Sequence, residues 1–300
     1  MPVLVGPTGV GKTAVAVALA AKLPLTVISA DSRQVYRGLD IGTAKPTIDE
    51  RAHAPHVGLD VVAPGERYSA GRFARDAAEW LAEVPPGRTP VVVGGTGFYI
   101  RALADGLFRE PIMDSARRDR LRAWTASLHG LGRWAARLDP AFAGGGKQRA
   151  QRAVEVGLLT GHPLSWWQQH AHDHGVMRPW FVRLSAPRAV LHQRIERRTA
   201  EMLARGWIAE VRGVMAQGVP PDAPGLDGVG YKEIVQYLAG AITDRDLPAA
   251  INTATRQYAK RQETWFRHQL GAHPVLALDA TDDAAILAQR IIERWEARSD

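Results

Sequence analysis

The stretch GPTGVGKT, Gly6 to Thr13, follows the apolar run VLV at residues 3–5 and precedes AVAVALAAKL at residues 14–23. Its spacing is G-x-x-x-x-G-K-[ST]. Glycines let the backbone turn inward, so that successive N–H groups and the start of the next helix converge on one anion. Gly6, Pro7, Thr8, Gly9, Val10 and Gly11 form the expected cradle, Lys12 adds a point charge, and the Thr13 hydroxyl is a ligand for Mg²⁺. A buried strand ahead, Pro2 to Val5, and a packed helix behind supply the strand-turn-helix context that the motif requires. A phosphate site on an α/β core follows from these residues, whereas the identity of the phosphate does not.

Three further apolar runs rich in β-formers end in small or acidic residues: LTVISAD (25–31), PVVVGGTG (90–97) and WFVRLSAP (180–187). Helical patterns such as GRFARDAAEWLAEV (71–84) separate them, which is the alternation of a parallel sheet. Ligands in such sheets gather at the carboxyl ends of the strands. Asp31, Ser32, Gly94, Gly95 and Thr96 therefore stand where chemistry is expected. No strand pattern is visible between Asp114 and Met177, where DSARRDRLRAWTASLHGLGRWAARL (114–138) and QRAQRAVEVGLLTG (148–161) read as helices. The expected organisation is a core made of residues 1–113 and 177–300 with a helical insertion at 114–176. After WFVRLSAP the reading is mostly helical, through INTATRQYAKRQETWF (251–266).

The 300 residues are 46% hydrophobic, enough for a sizeable core, and include no cysteine. That composition excludes disulfide stapling, thiolate zinc sites and cysteine nucleophiles. No run of about eighteen apolar residues occurs, and a soluble, cytoplasmic protein without membrane attachment is expected. The formal charge of +7 is unevenly placed: residues 101–152 hold ten Arg and one Lys against five acidic residues, a net +6. Such a block next to a phosphate loop fits either a polyanionic partner or an arginine-rich solvated face. His170, Asp173 and His174 have metal-ligand spacing, but no Cys or other cluster completes a shell, and a metal site is not expected there.

A P-loop kinase or nucleotide hydrolase places an Asp at the end of a buried strand as a second Mg²⁺ anchor. Here VVVGGTG ends in glycines and the candidate is Asp31. Its surroundings, ISADSRQVYRGLDIGTAKPT (28–47), closely resemble the signature segment of the tRNA dimethylallyltransferases, also called tRNA isopentenyltransferases. LDVVAPGERYSAGRFARDA (59–77), VVVGGTGFYIRAL (91–103), QRAVEVGLLTGHPLS (151–165), GVGYKEIVQYLAG (228–240) and TRQYAKRQETWFR (255–267) resemble further blocks of that family, in family order. The resemblance implies a P-loop NTPase-like parallel sheet core with an inserted all-helical tRNA-binding domain. It implies transfer of a dimethylallyl group from dimethylallyl diphosphate to N6 of the adenine next to the anticodon, tRNA position 37. A small-molecule P-loop kinase is the alternative.

The resemblance also implies roles. Asp31 becomes the base on N6 or an anchor that holds Mg²⁺ through its water, Thr96 orients the adenine, and Arg198 reaches the phosphates. Ser32, Arg33 and Gln34, with Asp31 and Thr96, line the path of the extruded nucleotide. Arg118, Gln148, Arg149, Ala150, Gln151 and Arg152 grip the anticodon stem-loop. Tyr258, Trp265 and Phe266 read as core packing, with base stacking as the alternative. The expected partners are tRNA and dimethylallyl diphosphate, the expected cofactor is Mg²⁺, and the expected state is a monomer.

Overall fold

Pro2–Val5 (β1) is an unbroken apolar segment with every residue of Val3 to Val5 at most 1% exposed, as a central strand covered on both faces requires. The computed structural model describes residues 1–108, 114–170 and 174–298. The elements after β1 are α1 (Lys12–Ala20), β2 (Leu25–Ser29), α2 (Ile48–His53), β3 (His56–Val57), α3 (Ala70–Ala82), β4 (Thr89–Gly94) and α4 (Gly97–Ala104). They continue as α5 (Ser115–Ser127), α6 (Leu131–Leu138), α7 (Lys147–Thr160), α8 (Leu164–His170), β5 (Trp180–Ser185), α9 (Arg188–Ala204) and α10 (Trp207–Ala216). The last four are α11 (Tyr231–Leu238), α12 (Leu247–His268), β6 (Val275–Asp279) and α13 (Ala284–Glu296).

The six strands form one parallel sheet in the order β3-β2-β4-β1-β5-β6. This order sets the carboxyl ends of β2, β4 and β1 side by side, so the turns that follow them meet although residues 5, 29 and 94 are far apart in sequence. Leu4, Val27, Val91, Val182 and Leu184 of the sheet pack with Val15, Leu19, Leu287 and Ile291 from α1 and α13.

Local chemistry sets the helix boundaries. Ser69 caps α3 by accepting the Arg72 N–H at 3.1 Å, and Thr47 with Glu50 forms a capping box on α2. The run from Arg188 to Gly218, uniform in its helical pattern, breaks into α9 and α10 at Gly206, whose φ of 98° interrupts the helix. The strand β6 is not visible in the sequence pattern. Its residues alternate between exposed and half-covered, with only Leu278 buried, which is the signature of an edge strand and not of a covered one.

The chain divides into two compact units, residues Met1–Ala104 with Val176–Asp300, and residues Asp105–Gly175. The second unit is built on α5 to α8 around a small core of Leu131, Ala135, Ala150, Ala153 and Val154. Among the described residues no helix is long and apolar enough to cross a membrane.

Candidate active site

The loop between β1 and α1 owes its path to three glycines with positive φ: Gly6 at 155°, Gly9 at 80° and Gly11 at 104°. At Gly6 a Cβ would also stand 2.6 Å from the Leu184 carbonyl oxygen, so no larger residue fits. Val10 points the other way and is 1% exposed in the core, which anchors the loop. The N–H groups of Gly9 and Gly11 meet no partner among the described residues, and those of Lys12 and Thr13 open α1, where helix geometry leaves them unpaired. All four of these residues line one cavity. Lys12 Nζ donates to the carbonyl oxygens of Gly6 at 2.9 Å and Pro7 at 3.0 Å. Burial lowers its pKa to about 8, with Asp31 favouring the charge and Arg198 opposing it.

Thr8 to Thr13 line this cavity of about 1180 Å³ together with Asp31, Ser32, Arg33, Gln34 and Arg198, whereas Gly6 and Pro7 do not reach it. Asp31 sits just beyond β2, whose chain continues through the Ala30 N–H to the Val93 carbonyl at 2.8 Å. One carboxylate oxygen, Oδ1, accepts the N–H groups of Arg33 at 2.8 Å and Gln34 at 3.4 Å, closing a tight turn. The other oxygen accepts no hydrogen bond from the described residues. Arg198, from α9, is half-buried; burial pushes its pKa down while Asp31 supports its charge.

Thr96 does not line this cavity. Its hydroxyl accepts the Ser32 N–H at 2.9 Å and donates to Ser32 Oγ at 3.2 Å, so the turn after β4 is tied to the turn that carries Asp31. Gly94 explains why no acidic residue ends β4: a Cβ there would lie 2.2 Å from the Ala30 carbonyl oxygen. Gln34 lines the cavity but holds a neighbouring loop. Its Nε2 donates to the carbonyls of Thr43 and Ala44, at 3.3 and 3.1 Å, and its Oε1 accepts from Ser29 Oγ at 2.8 Å.

Four further residues support the site without any local sequence signal. Gln262 joins the Thr8 N–H to the Gly95 carbonyl, at 2.8 Å each. Arg194 donates to the Val10 carbonyl at 3.1 Å and to that of Ala280 at 2.8 Å. Glu210 accepts the N–H groups of Asp40 and Ile41, both at 2.7 Å, and the Tyr231 hydroxyl at 2.7 Å. Tyr258, expected in the core, lines the cavity instead, interacts with Thr96, and has its pKa raised to about 12, chiefly by burial. Trp265 and Phe266 do pack inward: Phe266 is 1% exposed and the Trp265 ring lies where a Cβ on Gly97 would be.

In the second unit the residues expected to touch RNA separate by helical phase. Gln148 and Arg149 are exposed on the first turn of α7. Ala150 is 3% exposed inside the core of the unit, so its side chain is not on the surface. Gln151 Nε2 donates to Thr125 Oγ1 at 2.9 Å and bridges α7 to α5. Arg152 lies 3.9 Å from the buried Glu155 carboxylate, which Arg122 also meets at 3.2 Å, and over the Phe108 ring at 5.9 Å. Arg118, on α5, is held near Arg152, Arg122 and Glu155. Asp173 lies outside the described residues, and among those described no group of three His, Asp or Glu side chains is placed to hold a metal. A Mg²⁺ that rides on a diphosphate needs less: the Thr13 hydroxyl is a hard oxygen donor on the cavity, which fits an ion whose remaining ligands are phosphate oxygens and water.

Comparison with known proteins finds close relatives over most of the chain. The family described as IPP transferase matches residues 34–269, and that described as isopentenyl transferase matches residues 1–60. The chain is 45% identical over 276 residues to the tRNA dimethylallyltransferase of Halorhodospira halophila, covering 89% of each, and 44% identical over 288 residues to that of Stenotrophomonas maltophilia, covering 90% of each. Among solved structures, the full-length tRNA isopentenylpyrophosphate transferase of Bacillus halodurans superposes with a TM-score of 0.72 at 34% identity, covering 99% of this chain and 97% of that one. A eukaryotic dimethylallyltransferase acting on tRNA gives 0.81 at 27% identity, covering 99% and 79%. With a family model matched over residues 34–269 and relatives 44% and 45% identical over most of their length, the chain belongs to the tRNA dimethylallyltransferase family.

Proposed function

We propose that this chain transfers a dimethylallyl group from dimethylallyl diphosphate to the exocyclic N6 of the adenine next to the anticodon, tRNA position 37, and releases diphosphate, acting as a cytoplasmic monomer. The observation that carries the reading is the placement of Asp31 on the same cavity as Lys12 and Arg198, a proton acceptor and an anion cradle facing one space.

An adenine amino group is a weak nucleophile, because its lone pair is delocalised into the ring. It reacts when held in line with the allylic carbon and relieved of its proton. N6 attacks C1 of the donor as the bond from C1 to the diphosphate oxygen breaks, and the N6 proton passes to the Asp31 carboxylate oxygen that accepts no hydrogen bond from the described residues. The negative charge that builds on the departing oxygens is met by the N–H groups of Gly9, Gly11, Lys12 and Thr13, by the Lys12 ammonium and by the Arg198 guanidinium. Mg²⁺ held at Thr13 would neutralise part of the diphosphate charge.

Thr96, by fixing Ser32, orients the turn against which the base is held. The adenine leaves the loop stack to reach a walled site, as for other enzymes that act on bases. Arg118, Gln148, Arg149 and Arg152 offer the guanidinium and amide groups that suit phosphates and splayed bases of the stem-loop.

A kinase reading lacks its acidic residue at the end of β4, where the 2.2 Å approach of Gly94 to Ala30 admits only glycine. Incubation with dimethylallyl diphosphate, Mg²⁺ and unmodified tRNA, followed by nucleoside mass analysis, tests the proposal. One dimethylallyl unit gained on adenosine is the expected result; ATP turnover without it would favour the kinase.

A further inference from the structure

Gln262 is 7% exposed on α12, and both ends of its amide are in use. Its Oε1 accepts the Thr8 N–H at 2.8 Å, inside the phosphate cradle. Its Nε2 donates to the Gly95 carbonyl at 2.8 Å, in the turn that carries Thr96. The partners fix the orientation of the amide, since a backbone N–H demands the oxygen and a carbonyl demands the NH₂ group. A carboxylate cannot donate to Gly95, an aliphatic side chain can do neither, and Gly95 leaves room for the amide because a Cβ there would lie 2.4 Å from Nε2. One turn back on the same helix, Tyr258 lines the cavity and interacts with Thr96, which in turn holds Ser32. The helix α12 therefore touches the cradle through Thr8 and the turn after β4, which holds Ser32, through Gly95 and Thr96.

Resting on the transferase reading, we infer that Gln262 is a positioning residue, whose amide sets the separation between the diphosphate cradle and the turn that holds the adenine. Forming the C1–N6 bond as the bond from C1 to the diphosphate oxygen breaks depends on that separation more steeply than the binding of either substrate does. Misplacement by about 1 Å costs on the order of 10²-fold in rate, while each half-site keeps its own contacts.

The test compares wild type with Gln262→Leu and Gln262→Glu in single-turnover transfer, with tRNA affinity and inorganic pyrophosphate affinity measured separately. For Gln262→Leu a transfer rate lower by about 30- to 100-fold is expected, with both affinities within about threefold of wild type. Gln262→Glu supplies a readout that simple packing does not move. A protonated carboxyl reproduces the amide's donor and acceptor, so its rate relative to wild type is highest at low pH and falls as the carboxyl ionises, whereas the Gln262→Leu ratio stays flat. Equal transfer by Gln262→Leu and wild type overturns the inference, as does a pH-independent ratio for Gln262→Glu, including where Gln262→Leu fails to fold. A wild-type protein that transfers nothing overturns the transferase reading, and this inference with it.

Discussion

Raising the pH removes the charge of Lys12 without altering a single atom of the cradle besides its proton. Burial holds that ammonium at about 8, against 10.5 for a free lysine, a difference of roughly 3 kcal/mol against the charged form. An anion binds the protonated cradle, so affinity follows the protonated fraction of the free protein. That fraction is roughly nine-tenths at pH 7 and roughly one-tenth at pH 9. Pyrophosphate affinity is expected to fall about tenfold between pH 7 and pH 9 more than it does for Lys12→Gln, which lacks the titrating group and corrects for ionisation of the ligand. Calorimetry in buffers of different ionisation enthalpy adds a second reading: binding to wild type takes up about one more proton than binding to Lys12→Gln at pH 9, and near zero more at pH 7. Stability moves the other way. Below pH 8 the folded protein carries the cost of the buried charge; between pH 8 and 10.5 it loses the proton before the unfolded chain does, so wild type gains stability relative to Lys12→Gln as the pH rises through that window. Identical pH dependence of pyrophosphate binding in the two proteins would refute the reasoning.

Other expectations follow from single contacts. Asp31→Asn is expected to lower single-turnover transfer by about 10²- to 10⁴-fold with tRNA affinity nearly unchanged; near-normal rates would dismiss the carboxylate as base. Gly94→Ala forces a methyl group to 2.2 Å from the Ala30 carbonyl oxygen and is expected to destabilise by about 1–3 kcal/mol, seen as a lower melting temperature. Glu155→Ala leaves Arg122 and Arg152 without their buried carboxylate. Since both guanidinium groups reach solvent, the loss is expected at about 1–3 kcal/mol, under the about 3–5 kcal/mol of a fully buried pair, and hydrogen exchange should report it in α5 and α7.

The parts of the site that are legible in the sequence are those built within one turn of chain. GPTGVGKT carries its own glycines, lysine and helix, and Asp31 closes an apolar run, so the order of residues alone places both. Gln262 is different: its partner Thr8 is 254 residues away, and a glutamine in a helical pattern looks like any solvated polar residue. The glycines after VVV raise a question that only the tertiary structure answers, through the approach of Ala30 to Gly94 and of Gln262 to Gly95. In the insertion the motif QRAQR reads as one contiguous RNA contact, but a helix turns about 100° per residue. Gln148 and Arg149 therefore face solvent while Ala150 and Gln151 face the unit's own interior and neighbour. The edge strand β6 escapes because a single buried residue leaves no periodicity to detect.

The strand order has a consequence for synthesis. β1 is made first and pairs with both β4 and β5, the second of which begins only at Trp180. At about 5–20 residues per second, β1 waits on the order of ten to thirty seconds for that partner. During that interval residues 105–175, a unit with its own core, emerge and can fold from local contacts alone. The P-loop strand meanwhile holds one apolar edge open, the kind of edge that invites wrong pairing. The nascent chain is thus most vulnerable to aggregation after β4 has emerged and before β5 has, and pausing the ribosome in that window is where chaperone dependence would be greatest.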